Sequence, residues 1–204
     1  MLAVELPDVT TAVLDIRHRD AVKPTLEKLI KPLDGAVDAL IYCAGIILRG
    51  PAETVSDDDW DRLLEINLTG CFRVVRTLIP ALRTSGQAPS IVVISSQLGI
   101  VGYQNGAPYA ASKSGLNGLI RSLALEHAAE GLRVNAVGPG PTATPLNAAT
   151  RADPVIRAEV LGNIPMGRYG EPPEIAEVIL FLASARASFV TGQLWCVDGG
   201  YVAR

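Results

Sequence analysis

Short runs of β-branched residues alternate along this chain with longer stretches whose apolar positions recur every three to four residues. The first pattern suits a strand, the second an amphipathic helix. Val9 to Leu14 (VTTAVL) predicts a strand, and Ala21 to Ile30 a helix with Leu26, Leu29 and Ile30 toward the core. Ala39 to Cys43 (ALIYC) predicts a second strand, ending at Ala44-Gly45. A long helix is predicted from Ser56 to about Arg83. Ser56 and Asp59 have capping-box spacing, and Asp57, Asp58 and Asp59 suit the positive end of the helix dipole better than a metal. Ile91 to Ile94 (IVVI) predicts a third strand, with Ser95 and Ser96 at its carboxyl end. Pro108 fits the first position of a helix running to about Ala129. Leu132 to Val137 predicts a fourth strand, followed by Gly138-Pro139-Gly140. Residues 141–168 mix Pro, Ala, Thr and Asn and predict a mobile segment with a short helix near 154–162. Pro172 to Ala183 predicts another helix, and Leu194 to Val197 the last strand, closed by Asp198-Gly199-Gly200.

Strands alternating with helices predict an α/β fold: one parallel sheet with helices on both faces. No internal repeat, low-complexity tract or linker divides residues 1–204, so a single domain is expected. Ligands of such sheets bind beyond the carboxyl ends of the strands. Gly45, Ser96 and Gly140 fall at those ends.

Composition narrows the function classes. Of the 204 residues, 49% are hydrophobic and only 5% aromatic, so aliphatic side chains and glycine fill the interior. The net charge of −3, with no long block of one sign, argues against nucleic acid or an anionic membrane as partner. No apolar run reaches the ~18 residues of a membrane span. Glu5 and Asp8 interrupt the opening residues, which do not read as a signal peptide. Cys43, Cys71 and Cys196 match no zinc or disulfide spacing, which predicts reduced thiols, no metal, and a cytoplasmic location.

The candidate chemistry centres on Ala107-Pro108-Tyr109-Ala110-Ala111-Ser112-Lys113. Tyr109 and Lys113 stand four apart on a predicted helix and share a face. A free phenol titrates near ~10, and a neighbouring ammonium lowers that value toward the range useful in proton transfer. Ser96, thirteen residues before Tyr109 and at a strand end, is placed to donate to a carbonyl oxygen. Asn67 falls inside a predicted helix, where its amide is available to water or to a freed backbone carbonyl.

With these residues the chain resembles the classical short-chain dehydrogenase/reductase family. The resemblance extends through Asn67-Leu68-Thr69-Gly70, Asn135-Ala136-Val137-Gly138-Pro139-Gly140, Ile164-Pro165-Met166-Gly167-Arg168, Gly170-Glu171-Pro172-Pro173-Glu174-Ile175-Ala176 and Val197-Asp198-Gly199-Gly200. The C-terminal half looks most like the 3-oxoacyl-carrier-protein reductases. The resemblance implies a Rossmann-like doubly wound sheet, an NAD or NADP cofactor, and hydride transfer between that cofactor and an alcohol or ketone. It implies Tyr109 as general acid/base, Ser96 as the group that polarises the substrate carbonyl, and Lys113 as clamp of the nicotinamide ribose. Asn67 is implied as holder of a relay water. Pro139, Gly140, Thr142 and Thr144 are implied on the nicotinamide side, Cys43, Ala44 and Gly45 along the cofactor, and Asp15 and Ile16 beside the adenine.

Two departures stand out. The family's Asn-Asn-Ala-Gly segment reads Tyr42-Cys43-Ala44-Gly45 here. No glycine loop follows the first predicted strand, and Leu2-Ala3-Val4-Glu5-Leu6 resembles the end of the family's second helix. The first two family strands, which would separate strand 9–14 from strand 39–43, are expected to be absent. Three outcomes remain open: a truncated chain, an inward shift of strand 9–14 beside strand 39–43, or a sheet edge covered by another chain. The apolar faces of helices 60–83 and 110–128 carry Leu64, Phe72, Val75, Leu116, Leu119 and Leu123. By resemblance they suit a homodimer or homotetramer, and packing on the chain's own sheet is the competing account. The competing functions are an NAD(P)-dependent oxidoreductase, a cofactor-free relative serving as oligomer partner or binding module, and a Tyr/Lys site for hydride-free proton chemistry.

Overall fold

Strands β1 (Ala39–Tyr42), β2 (Ser90–Ile94), β3 (Arg133–Pro139) and β4 (Leu194–Val197) pair in parallel, in that order, in one sheet. The computed structural model describes residues 9–86 and 88–203. The helix end expected at Leu2–Leu6 lies outside them. The helices are α1 (Arg19–Ile30), α2 (Asp57–Leu64), α3 (Gly70–Arg83), α4 (Ala107–His127), α5 (Ala148–Ala152), α6 (Pro154–Gly162) and α7 (Pro172–Ala183). The strand pleat divides the core in two. Ile91 and Val93 of β2 and Val134 and Ala136 of β3 face α1, α3 and α4. Val92, Ile94 and Val137 face α7. A sheet buried on both faces reads as continuous apolar runs, which is why IVVI shows no alternation.

The long helix predicted over 56–83 forms, with one wide turn inside it. Ser56 Oγ accepts from Asp59 N–H at 3.1 Å and starts α2 as the capping box predicts. Residues Glu65–Thr69 then make a π turn, and Gly70 N–H bonds Glu65 C=O five residues back. Such a turn takes up an extra residue and leaves carbonyls free for other partners. The phenol of Tyr42 reaches one of them, donating to Ile66 C=O at 3.2 Å. Tyr42 is 5% exposed, and burial pushes its pKa above the ordinary phenol value. The unexpected tyrosine in the Tyr-Cys-Ala-Gly segment therefore ties β1 to the π turn of this long helix.

Val9 to Leu14 does not form the strand its composition predicts. Val13 is 94% exposed, while Leu14 and Ile16 pack against the core under α1 and α3. A strand needs a ladder neighbour for its backbone, and none lies beside this segment among the described residues. It does not shift inward to β1 either. The outer edge of β1 has no described partner, and Ile41 on it is 38% exposed. The remaining elements fall within a residue or two of their predicted bounds. The exceptions are α5 and several short 3₁₀ turns, whose length is below what periodicity resolves.

Long-range polar contacts hold the opposite face. Arg133 on β3 is buried and donates to Leu182 C=O at 2.8 Å and Ser184 C=O at 3.1 Å, capping the carboxyl end of α7. Asn135 donates to Val190 C=O at 2.8 Å and accepts from Gln193 N–H at 3.1 Å, which fixes the approach to β4. Among the described residues no helix is long and apolar enough to cross a membrane.

The Tyr42 contact gives a direct test. Tyr42→Phe keeps the packed ring and strands the Ile66 carbonyl, so unfolding free energy falls by about 1–2 kcal/mol. Urea denaturation at pH 7 reads this as a lower midpoint at unchanged slope.

Candidate active site

One cavity of about 750 Å³ opens at the carboxyl ends of β1, β2 and β3. Cys43, Gly45, Ser96, Tyr109, Lys113, Pro139, Gly140, Thr142 and Thr144 line it together. These residues come from four segments spread over a hundred positions of sequence. Ile46, Ile47, Leu98, Pro141, Ile175 and Ile179 add apolar walls.

Each polar group is held by a local device. Ser96 ends the extended backbone after β2, where its Oγ accepts from Leu98 N–H at 3.1 Å and caps the 3₁₀ turn Gln97–Gly99. That turn lies against α4. Asn117 donates to Gly99 C=O at 3.0 Å and accepts from Ser95 Oγ at 2.7 Å, and Ser114 Oγ donates to Gly99 C=O at 3.1 Å. A Cβ on Gly99 would stand 2.6 Å from Asn117 Nδ2 and 3.0 Å from the Lys113 backbone, so only glycine permits this approach. The turn thereby sets Ser96 against Tyr109. The positioning roles of Ser95, Gly99 and Asn117 escape a reading based on motifs alone. The one available signal is that Asn117 stands four residues after Lys113, on the same helical face.

Lys113 is 4% exposed, and its Nζ donates to Ile94 C=O at 2.9 Å at the end of β2. Burial lowers its pKa to about 8, against smaller opposing effects of Cys71 and Cys43. Its Nζ lies 5.7 Å from the centre of the Tyr109 ring. Tyr109 is half-buried, and burial raises its pKa. Hydrogen bonding with Ser96 and the charge of Arg49 pull the other way. The expected lowering of the phenol pKa by Lys113 is thus not what this arrangement provides. The ammonium is drawn under the ring by the Ile94 carbonyl, and Arg49 supplies the cationic influence on the phenol instead.

Asn67 lies in the π turn with no exposed surface. Its Oδ1 accepts from Ile46 N–H at 2.8 Å, and its Nδ2 donates to Ile46 C=O at 2.9 Å and to Ser112 Oγ at 3.1 Å. It clamps the loop after β1 onto the face of α4 that carries Tyr109 and Lys113, and does not itself line the cavity. Gly45 passes close to this clamp: a Cβ there would be 3.4 Å from Asn67 Oδ1 and 3.6 Å from Lys113 Nζ.

The candidate cofactor residues divide into two groups. Gly140 approaches Asp198 so closely that a Cβ would lie 2.6 Å from its Cα, and this contact shapes the rim of the cavity. Thr142 Oγ1 donates to Gly140 C=O at 3.0 Å, and Asn147 Nδ2 to Thr142 C=O at 2.8 Å, which orders the segment leading to α5. These residues and Lys113 fit a nicotinamide riboside end. Asp15 and Ile16 do not reach the cavity. Asp15 pairs with Arg17 at 2.6 Å, which holds its carboxyl at about 2, and Ile16 packs on Gly70. Ala44 is exposed between two lining residues without lining the cavity.

Two outcomes test this geometry. Between pH 8 and 10.5 the unfolded chain keeps a proton on Lys113 that the folded chain has released, so unfolding free energy rises with pH across that window. Relative to Lys113→Met, the wild-type urea midpoint therefore climbs from pH 8 to pH 10, and below pH 8 the offset between the two is constant. Gly140→Ala forces its Cβ into the Asp198 backbone and costs more than about 1 kcal/mol, read as a lower thermal midpoint.

Comparisons with known proteins give the family of the chain. The family model described as enoyl-(acyl carrier protein) reductase matches residues 2–202. The 3-oxoacyl-(acyl-carrier-protein) reductase of Thermotoga maritima is 40% identical over 190 residues, 93% of this chain and 76% of that protein. The ligand-free structure of Thermoplasma acidophilum aldohexose dehydrogenase superposes with a TM-score of 0.87 at 35% identity, covering 95% of this chain and 78% of the other. The gluconate 5-dehydrogenase of Burkholderia cenocepacia, solved in complex with NADP and tartrate, gives a TM-score of 0.89 at 32% identity, covering 94% of this chain and 75% of the other. The chain belongs to the short-chain dehydrogenase/reductase family, and within it is similar to the 3-oxoacyl-carrier-protein reductases.

Proposed function

We propose that this chain is a nicotinamide-dependent oxidoreductase of alcohols and ketones. The observation that carries the reading is the convergence of Ser96, Tyr109 and Lys113 on one cavity lined by the Pro139-Gly140 turn. When bound, an NAD or NADP molecule supplies or accepts the hydride at the substrate carbon. The protein's own residues handle the oxygen and the proton. Ser96 holds the substrate oxygen through its hydroxyl. Tyr109, kept protonated at neutral pH by burial, gives its proton to that oxygen as the carbonyl carbon is reduced. In the reverse direction the phenolate takes the alcohol proton, so oxidation gains with rising pH. Lys113 spends one donor on Ile94 C=O and keeps two for ribose hydroxyls. Asn67 is a positioning residue that acts through Ile46 and Ser112.

The adenosine end has a weaker basis. No glycine loop follows the first predicted strand, and Asp15 and Ile16 lie away from the cavity. The nicotinamide end therefore supplies most of the binding this chain offers. Titration with NADH and with NADPH, followed by nicotinamide fluorescence, is expected to show saturable but weak binding. Tyr109→Phe keeps that binding and lowers ketone turnover by about 10²–10⁴-fold. Absence of saturable binding at millimolar NADH and NADPH rejects the enzyme and favours a cofactor-free oligomer partner.

The same reading includes a homodimer or homotetramer in a reducing, cytoplasmic setting. Val75, Leu116 and Leu123 are consumed by the chain's own core, which leaves Phe72, 40% exposed, with half-buried Leu64 and Leu119 for a second copy. Light scattering at micromolar concentration distinguishes this from a monomer.

A further inference from the structure

Arg49 sits on the loop after β1, at the rim of the cavity. Gly50 N–H bonds Asn105 C=O at 2.8 Å and ties this loop to the one that precedes α4. The Arg49 guanidinium lies over the Tyr103 ring, 4.9 Å from its centre. A guanidinium held against a ring carries five N–H donors, more than that contact uses. Among the described residues no carboxylate or carbonyl engages those of Arg49.

The surroundings lack a counter-charge. No aspartate or glutamate lines the cavity, and its two cations are Arg49 and Lys113. Lys113 is buried and already bonded to Ile94 C=O. Arg49 is exposed, and close enough to the reacting centre for its charge to act on the Tyr109 phenol. Apolar walls at Ile46, Ile47 and Leu98 reduce the screening of any charge pair formed there.

We propose that Arg49 anchors a carboxylate of the substrate, so that the chain acts on hydroxy or oxo acids whose reacting oxygen lies on Ser96 and Tyr109. The assignment of the reacting oxygen rests on the hydride-transfer reading, whereas the carboxylate contact does not. A planar guanidinium fork matches a carboxylate through two parallel N–H···O bonds. A single such group balances one negative charge, and leaves a phosphomonoester near neutral pH only partly compensated.

Calorimetric titration of the full chain tests this without turnover. The probes are 3-hydroxybutanoate, 4-hydroxycyclohexanecarboxylate and 2,3,4-trihydroxybutanoate, each against its primary amide. At least one acid is expected to bind about tenfold more tightly than its amide. Arg49→Gln brings that ratio to within about twofold of unity, and Arg49→Lys, which keeps the charge but not the fork, retains part of it. Added salt weakens the wild-type preference. The proposal fails if no acid outbinds its amide, or if the preference survives in Arg49→Gln. It also fails if a phosphomonoester of the matching alcohol gains as much from Arg49 as the acid does. Should Arg49→Gln not fold, the retained preference of Arg49→Lys and its salt dependence decide the matter. An acid preference with no hydride transfer under any cofactor keeps the anchor and removes the oxidoreductase reading. Turnover of neutral alcohols by the wild-type chain, with no acid outbinding its amide, does the reverse.

Discussion

The amide of Asn67 is the contact on which the site depends. It bonds both backbone groups of Ile46 and the hydroxyl of Ser112, so one side chain joins the loop after β1 to the face of α4 that carries Tyr109 and Lys113. The π turn makes this reach available, because an ordinary helical turn would rotate the following residues by a further position. Tyr42 completes the junction by bonding the Ile66 carbonyl of the same turn. An irregular turn that leaves carbonyls unpaired persists where other groups satisfy them. Here Tyr42 does so from the strand, and its position in the Tyr-Cys-Ala-Gly segment is a substitute brace.

Around that junction the electrostatics are those of a largely desolvated pocket. Burial lowers Lys113 to about 8 and raises Tyr109, so each group is biased toward its neutral form. Ser96 and Arg49 oppose the bias on the phenol, Ser96 through a hydrogen bond and Arg49 through its charge. The Tyr-x-x-x-Lys spacing correctly puts phenol and ammonium on one helical face. It does not settle which cation acts on the phenol oxygen, because that depends on where the Ile94 carbonyl draws Lys113.

Motifs far apart in sequence prove to be halves of single contacts. Gly199, at φ 63°, leaves no room for a Cβ, which would stand 2.7 Å from Ile164. Met166 N–H bonds Gly199 C=O at 3.1 Å. The Ile-Pro-Met-Gly-Arg and Asp-Gly-Gly segments are therefore one joint beneath the segment that carries α5 and α6. Arg168 in turn pairs with Glu174 at 2.6 Å, at the start of α7. The strand and helix alternation was legible because burial on two faces imposes apolar runs and helical stripes. Residues 9–14 favour extended backbone but form no strand, because a strand also requires a neighbour.

What the sequence determined by itself is local or periodic: the α/β order, the helix starts at Ser56 and Pro108, and the shared face of Tyr109 and Lys113. Those features follow from rotamers, capping and spacing within one segment. Tertiary structure alone decided which strand edge stays open, where Asn67 and Tyr42 spend their polar groups, and that Asp15 turns to Arg17 away from the cavity. It also decided that Arg49, forty-seven residues before Ser96, stands over Tyr103 at the rim of the same cavity. These depend on side chains meeting across elements, and no short-range pattern encodes a distance between segments that only the packed sheet brings together.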